Sequence, residues 1–505
     1  MSLSLPSLTP PLVEVSELLL SLDPATAEPL HQQLYRGIRE AILSGRLPAG
    51  VRIPSTRRLA QDLGISRSTV LFAFDQLAAE GYLVGAVGSG SYIARSIPDG
   101  LLPTRPAEPT GARRAVPAPR LAARTYELHR FLRIPSGLYP RAFQTGVPPI
   151  DQFPWSVWSR LEARRNRHLP RRQLYHGSAG GHPPLREAIA MHLAAARGVR
   201  CTADQVLIFS SAQEALDLVC RALLDPGDAV WFEDPGYAGS RGALVSAGAR
   251  VIPVPVDRDG LNVEWAIATE PTARLALVSP SHQYPTGFTL SLARRLALLQ
   301  WAERTGGWIV EDDYDSEYRY AGRPLTALQG LDAAERVLYI GSFNKTLFPS
   351  LRLGYLVAPE SLLKWLLPIR RIGGQHAPTL PQLSLTDFMV EGHYARHLRR
   401  MRMVCRERRD TLLAAASRLI PGLLEFEPAD AGLHVVGWLP PGLDDTQVCA
   451  AAFAQRVEAA ALSNYYIGPP GRGGLLLGYG GVEPGDIEEG VGRLAAAFRT
   501  LGLPR

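Results

Sequence analysis

Lys345 is one of only two lysines in the chain, which otherwise carries its positive charge on arginine. The other, Lys364, lies in the apolar run 362–366, where we expect a surface side chain whose aliphatic stem packs along its neighbours. A guanidinium stays protonated, whereas an amine that loses its proton can condense with an aldehyde to form a Schiff base. Lys345 is therefore a candidate for covalent chemistry with an aldehyde.

Further polar residues that could serve this chemistry follow three short apolar runs typical of strands, and two more flank the lysine. One set opens a helix, where backbone N–H groups and the helix dipole favour a phosphate. Another is an aromatic ring suited to stacking, and a third combines acids with a phenol. The sets are Ser211, Ala212 and Gln213; Tyr237; Asp312, Asp313 and Tyr314; and Ser342 with Arg352 on either side of Lys345.

These sets match the functional parts of one molecule, pyridoxal 5′-phosphate (PLP). Its aldehyde suits Lys345, and its phosphate suits a hydroxyl and a guanidinium such as those of Ser342 and Arg352. A carboxylate such as Asp312 would keep its ring nitrogen protonated, and Tyr314 could reach its phenolic oxygen. We therefore predict PLP as the cofactor. No metal site is expected, because the four cysteines show neither Cys-x-x-Cys spacing nor a partnered histidine pattern.

From about residue 140 onward, β-rich runs alternate with helical ones. This alternation predicts an α/β domain with a mostly parallel sheet and helices on both faces. Ligands of such sheets lie at the carboxyl ends of strands, which is where the polar sets occur. The predicted strands are 206–209, 229–232, 275–278, 308–311, 337–340 and 353–357.

A separate helical pattern precedes this domain. Apolar residues recur every fourth position from 30 to 42, which indicates one amphipathic helix. Ser55 and Ser66 can cap two more helices, and Gly64 can supply the turn between them, as in a helix-turn-helix. The second helix of that motif enters the DNA major groove by its N-terminal residues. Those residues, all able to donate hydrogen bonds to bases or phosphates, are Ser66, Arg67, Ser68 and Thr69.

Composition narrows the remaining possibilities. A chain of 505 residues that is 46% hydrophobic and 20% charged, with a net charge of +6, is typical of a globular protein of two or three domains. Residues 96–130 are rich in proline, alanine and arginine without an apolar period, so we expect a linker there. The absence of a signal segment and of a membrane span favours a cytoplasmic protein without a membrane partner.

The segment that contains RIPSTRRLAQDLGISRSTV resembles the GntR-type winged helix over nearly its whole length. The resemblance implies a DNA-binding domain over residues 25–95, with promoter or operator DNA as its partner. It also implies backbone contacts from Ser55 and Arg57, groove contacts from Arg67 and Thr69, and a wing tip at Gly88, Ser89 and Gly90.

The rest of the chain resembles a class I aminotransferase of fold type I. The strings PSHQYPTG, WIVEDDYDSEYRYAGRPLTALQGLD and GSFNKTLFPSLRLGYLVAP are similar to the MocR/GabR branch, where such a domain follows a GntR winged helix. The resemblance implies a PLP-binding effector domain over residues 131–505 with a smaller C-terminal subdomain, and a domain-swapped homodimer. It favours Asp312 over Asp313 as the partner of the ring nitrogen, which spacing alone leaves open. It implies an internal aldimine on Lys345, ring contact from Tyr237, a phenolic-oxygen contact from Tyr314, and phosphate contacts from Ser342 and Arg352.

Four residues depart from the family pattern. The phosphate turn usually reads Ser-Gly-Ser-Gln, and Ala212 lacks that hydroxyl, while Asn344 replaces the usual serine before the lysine. Tyr284 stands where the family commonly has asparagine, which leaves His282 or another group for that cofactor contact. Leu476 stands where aminotransferases place an arginine that grips the substrate carboxylate.

A missing carboxylate clamp impairs a transaminase more than a sensor, because turnover requires an oriented substrate. The sequence names no effector and no direction of regulation. We therefore predict a PLP-dependent, DNA-binding transcriptional regulator that senses an amine, an amino compound or PLP itself. The alternatives are an active aminotransferase with an accessory DNA-binding domain, and a DNA-binding protein whose second domain survives as a cofactor-free dimerisation scaffold.

Overall fold

The computed structural model describes residues 22–86, 90–95, 119–132, 141–175, 177–320, 325–428 and 430–503. The chain divides into two units, Met1–Pro119 and Arg120–Arg505. Among the described residues, no helix combines the length and the apolar character needed to cross a membrane.

Within its described residues, the first unit contains three helices and a hairpin. Leu34, Ile38 and Val70 are fully buried between the helices, as the four-residue spacing predicts. Gly64 has φ of +66°, a left-handed conformation that ends the second helix and turns the chain toward the third. The elements are α1 (Leu30–Leu43), α2 (Thr56–Leu63), α3 (Arg67–Ala79) and the antiparallel strands β1 (Leu83–Ala86) and β2 (Gly90–Ile93).

An eight-stranded sheet organises the second unit. Its strand order is β3-β10-β9-β8-β7-β4-β5-β6, and its pairs are parallel except for those of β10 and β6, so the mostly parallel sheet is confirmed. The strands are β3 (Val206–Phe209), β4 (Ala229–Asp234), β5 (Arg250–Asp257), β6 (Gly260–Leu261), β7 (Leu275–Val278), β8 (Trp308–Asp313), β9 (Val337–Ser342) and β10 (Gly354–Val357).

Helices cover both faces of this sheet, which explains why its strands are continuous apolar runs. Along β3, Val206 and Ile208 pack into one helical layer, while Leu207 and Phe209 pack into the opposite one. The helices are α4 (Ala123–Phe131), α5 (Trp155–Arg167), α6 (Pro183–Arg197), α7 (Ala212–Leu223), α8 (Ala238–Ala247), α9 (Val263–Thr269), α10 (Leu292–Thr305), α11 (Leu328–Leu331), α12 (Glu360–Gly373) and α13 (Thr379–Val390).

A smaller antiparallel sheet lies in the C-terminal part of the same unit. Its strand order is β11-β12-β14-β13, and its core is shared with two long helices. The elements are α14 (His393–Leu419), β11 (Glu425–Phe426), β12 (His434–Trp438), α15 (Asp445–Ala454), β13 (Ala460–Ala461), β14 (Gly474–Gly478) and α16 (Pro484–Thr500).

The predicted linker, residues 96–130, differs from the structure at its end, because α4 begins at Ala123. The guanidinium of Arg241 on α8 lies 4.0 Å from the ring centroid of Phe131, and a Cβ on Gly242 would touch Leu128 and Leu132. This short helix is stabilised by packing on α8, a long-range contact that local composition does not reveal. Residues 96–118 of the predicted linker lie outside the described part of the chain.

Candidate functional site

The strand register brings the predicted phosphate-binding residues to one place. Gly354, the first residue of β10, pairs with Phe209 of β3 on one side and with Ser342 of β9 on the other. A Cβ on Gly354 would lie 2.7 Å from the backbone nitrogen of Ala212, so only glycine allows α7 to start this close. Ser342 and the first turn of α7 therefore flank the same strand end.

The first turn of α7 is formed by its cap. Ser211 Oγ accepts a hydrogen bond from the backbone N–H of Glu214 at 3.0 Å, which leaves the first amides of the helix open to a ligand. Gln213 differs from the expected cofactor contact, because its side chain is exposed and donates to the Gly239 carbonyl oxygen at 2.8 Å. Arg352, exposed and left-handed with φ of +54°, lies two residues before β10.

The two neighbouring acids at the end of β8 have different surroundings. Asp313 is buried and accepts hydrogen bonds from Arg197 Nε at 2.9 Å and from the Tyr339 hydroxyl at 2.6 Å. Asp312, on the opposite face of the strand, accepts no hydrogen bond from the described residues. Burial, reinforced by Asp313 and Asp315, raises the pKa of Asp312 to about 7. Asp312 is thus a half-buried carboxyl group without a hydrogen-bonded cation among the described residues.

Lys345 follows β9 and directs its amine toward the same strand ends. Its Nζ donates to the carbonyl oxygen of Gly146 at 2.9 Å. Burial lowers the pKa of Lys345, although the nearby carboxylates of Asp315 and Asp312 oppose this shift. A lowered pKa enlarges the neutral fraction of the amine, which is the form that attacks an aldehyde.

Two features favour glycine at position 146, and replacing Gly146 with alanine tests the placement of the Lys345 amine. Its φ of +77° strains any residue with a Cβ, and that Cβ would lie 2.5 Å from Lys345 Nζ. We expect Gly146→Ala to lower covalent PLP occupancy, measured by cofactor absorbance per protein. The matched control is Gly422→Ala, with φ of +74° and open space around the new methyl group. Equal occupancy in both variants would refute the placement of the amine beside Gly146.

His282 forms a hydrogen-bonded chain behind the predicted ring site. Its Nδ1 lies 3.0 Å from Asp315 Oδ2 and 3.0 Å from the hydroxyl of Tyr314. The ring is tightly enclosed, since a Cβ on Gly432 would lie 2.2 Å from His282 Cε1. His282 therefore orients the Tyr314 phenol, in addition to any direct contact that it makes with a cofactor.

Aromatic side chains form the open side of the site. Tyr237, 48% exposed at the start of α8, has its ring centroid 5.5 Å from that of Tyr284 in an edge-on contact. Asp312 contributes to raising the pKa of Tyr237, after burial and Tyr284, which places this carboxyl near the ring. Leu476, at the position where the family resemblance implies an arginine, is fully buried on β14 opposite Val436.

PLP fits the residues that these strand ends bring together. The open amides of α7 and Ser342 can receive its phosphate, and Asp312 suits its ring nitrogen. Tyr314 and Tyr237 would supply the phenol and the stacking ring. Asn344 is one of the residues that depart from the family pattern. Its side-chain oxygen is buried and forms no hydrogen bond with any of the described residues.

The predicted DNA-contacting residues lie at the starts of α2 and α3. Ser55 caps α2 by accepting from the Arg58 N–H at 3.3 Å, and Ser66 caps α3 by accepting from the Thr69 N–H at 3.1 Å. The Ser66 hydroxyl also lies 2.8 Å from Ser68 Oγ. Within this predicted set the exposed residues are Ser55, Arg57, Ser66, Arg67 and Ser68.

The wing prediction is only partly covered by the described residues. Gly90 begins β2 with φ of +101°, and a Cβ there would lie 3.0 Å from Arg52 Nε. Gly88 and Ser89 lie outside the described residues. Arg52, which lies before α2 and forms a β-bridge with Tyr92 of β2, brings a guanidinium to this hairpin that the sequence analysis does not predict.

Comparison with known proteins decides the family. Residues 153–473 match the family described as Aminotransferase class I and II, and residues 30–93 match Bacterial regulatory proteins, gntR family. The chain is 41% identical over 486 residues to the Probable rhizopine catabolism regulatory protein MocR of Rhizobium meliloti, across 96% of each protein. The chain belongs to the MocR-type transcriptional regulators.

Other similarities agree with this MocR-type assignment. The chain is 34% identical to the HTH-type transcriptional regulator TauR of Rhodobacter capsulatus, over 95% of this chain and 98% of that protein. It is also similar to LysN, an alpha-aminoadipate aminotransferase from Thermus thermophilus whose structure contains N-(5′-phosphopyridoxyl)-L-leucine. That similarity has a TM-score of 0.66 and 29% identity, and covers 75% of this chain and 95% of that one.

The predicted fold class is therefore confirmed as a GntR helix-turn-helix domain joined to an aminotransferase domain of fold type I. PLP is the cofactor of this aminotransferase family, and a GntR-type regulator binds DNA.

Several site residues of this MocR-type chain were missed by sequence reasoning. Gly146 lies 199 positions from the lysine it contacts, and no local motif marks it. Asp315 belongs to the acidic string of residues 311–315, and this string is the feature of the sequence that could have indicated its role. Tyr465 enters through a short turn after β13, and its hydroxyl reaches Tyr284 only in the folded chain.

Proposed function

We propose that this regulator reads operator DNA through α3 and senses a small amine, an amino compound or PLP itself at Lys345. When bound, PLP supplies an aldehyde that can exchange its lysine partner for the amine of a ligand. Lys345 provides a nitrogen of lowered pKa, and Asp312 provides the carboxylate that holds the ring nitrogen protonated. Tyr314 is the phenol that we assign to the phenolic oxygen.

The observation that carries this proposal is the combination of a fitting PLP site with Leu476 at the clamp position. The site keeps the groups that capture an amine, while β14 offers an apolar side chain where a transaminase grips a carboxylate. Capture alone is sufficient for a sensor, because a sensor requires only different affinities in its two states.

The proposal also includes a homodimer as the form in which the regulator acts. The family resemblance implies a domain-swapped pair in which each reader domain reaches across its partner. Ligand binding would then shift the population between two dimer states that present the DNA readers differently. The partners we propose are therefore operator DNA, a small-molecule effector and a second copy of the chain.

Transaminase activity is the second candidate, favoured by the similarity of the chain to the LysN aminotransferase. Steady turnover of an amino donor with pyruvate or 2-oxoglutarate would establish it. A ligand-dependent change in operator affinity without turnover is the result we expect.

DNA reading is tested by Arg67→Ala, titrated against the region upstream of the protein's own gene. Arg67 is exposed at the first position of α3, and loss of a base contact costs about 1–3 kcal/mol, or roughly 5- to 150-fold in affinity. Arg36→Ala is the control, since Arg36 is an exposed residue of α1 in an ion pair with Glu28. Unchanged footprints for Arg67→Ala would disprove the groove assignment.

A further inference from the structure

Three hydroxyl groups form one wall beside the lysine. The hydroxyl of Tyr284 lies 3.1 Å from that of Tyr465 and 3.5 Å from Thr145 Oγ1. Thr145 directly precedes Gly146, whose carbonyl oxygen accepts from the Lys345 amine. We call Thr145, Tyr284 and Tyr465 the hydroxyl wall.

The hydroxyl wall adjoins the predicted cofactor residues. The Tyr284 ring contacts Tyr237 and Tyr314 edge-on, at centroid distances of 5.5 and 5.9 Å. Burial raises the pKa of Tyr284 well above its ordinary value and also raises the pKa of Tyr465. The two phenols therefore donate and accept hydrogen bonds at physiological pH but carry no charge.

Leu476 packs against the hydroxyl wall from the side of β14. A Cβ on Gly478 would lie 2.9 Å from Thr145 Cα, so this face of β14 looks toward the segment before Gly146. Leu476, two residues earlier on the strand, shares that face. It packs in one apolar cluster against which both Tyr284 and Tyr465 lie.

Two arginines, Arg197 and Arg319, lie near the acidic residues that follow β8. Arg197 is held in its buried ion pair with Asp313. Arg319 is half-buried, and burial lowers its pKa while the carboxylates of Asp430 and Asp315 oppose that shift. A ligand carboxylate in this place would join Asp312 and Asp315 without the arginine that the family pattern places at position 476, which is an unfavourable way to bury charge.

We propose that the ligand captured at Lys345 is a primary amine that carries uncharged hydrogen-bonding groups, such as hydroxyls, and no carboxylate next to the amine. The hydroxyl wall would bind those groups, and Leu476 would exclude a carboxylate. This inference rests on the proposed function, because it names the chemical class that the same site accepts.

Matched pairs of probes test it on the full-length, PLP-loaded protein. Ethanolamine differs from L-serine, and ethylamine from L-alanine, only by the carboxylate. Binding is measured at one pH from the change in cofactor absorbance and, independently, by calorimetry. We expect each amine to bind at least about tenfold more tightly than its amino acid, and ethanolamine more tightly than ethylamine.

Variants separate the two parts of the proposal. Leu476→Arg should reverse the order within each pair, while Leu476→Met should leave it unchanged. Tyr465→Phe, which removes one hydroxyl from a half-buried ring, should weaken ethanolamine about three- to tenfold and leave ethylamine unaffected. This variant keeps the test decisive if arginine at the buried position 476 prevents folding.

The outcomes also distinguish this inference from the function on which it rests. Equal or tighter binding of the amino acids, with cofactor absorbance present, overturns the amine class and leaves the regulator intact. Failure of all four probes to alter the absorbance also overturns it. A purified protein that carries no cofactor on Lys345 would overturn both proposals together.

Discussion

Lys345→Ala is expected to abolish covalent capture of PLP. After borohydride reduction, mass spectrometry should find the pyridoxyl adduct on the peptide that contains residue 345 in the parent protein and on no peptide of the variant. The visible cofactor absorbance should be lost with it. The reason is chemical, since among the described residues no other amine is held against Gly146 and the strand ends that carry Asp312.

Lys364 offers a control of the same residue type. It is exposed on α12, with its ammonium 5.1 Å from the ring centroid of the neighbouring Trp365. Lys364→Ala should therefore retain the full adduct and full absorbance. An adduct that moves to residue 364, or that persists in Lys345→Ala, would contradict the assignment of the site.

Asp312 and Asp313 are expected to give opposite results although they are adjacent. Asp313→Ala removes one partner of a buried ion pair and leaves the Arg197 guanidinium without it, which costs about 3–5 kcal/mol of unfolding free energy. Asp312→Asn should lower PLP affinity roughly ten- to a hundredfold, because a charged hydrogen bond to the ring nitrogen is lost. Chemical denaturation of apo-protein and equilibrium titration with PLP measure the two effects separately.

The raised pKa of Asp312 also predicts how the stability of the apo-protein depends on pH. Because the folded-state pKa is raised to about 7, ionisation of Asp312 disfavours the apo-protein increasingly as the pH rises from about 4 through about 7. Asp312→Asn apo-protein should therefore be at least as stable as the parent at a pH of about 8. A large loss of stability in Asp312→Asn would contradict these assignments. A loss of PLP affinity without loss of stability in Asp313→Ala would instead make Asp313 the partner of the ring nitrogen.

The elements that lie next to the site follow from local sequence. Ser55 and Ser66 were recognised as helix caps, and each accepts the expected backbone hydrogen bond in the structure. The strand that ends at Asp313 was recognised from its apolar run. Spacing could not decide between the two acids after it, because alternation places them on opposite faces and their partners come from elsewhere in the chain.

Contacts between distant segments account for what sequence reasoning missed. Arg197, which engages Asp313, ends α6, and Gly146 reaches Lys345 from before α5. No local sequence pattern indicates these roles for a glycine in an irregular segment or for an arginine at the end of a helix. The same holds for the hydroxyl of Tyr465, whose partner lies 181 positions earlier.

The packing of α4 on α8 determines where this protein can be cut. A fragment that starts after residue 131 would lack Leu128 and Phe131, and it would expose Gly242 and remove the ring that Arg241 covers. Arg241 lies one helical turn after Tyr237, so the damage would begin close to the predicted stacking residue. A self-sufficient ligand-binding fragment should therefore begin no later than Arg120, where the second unit starts.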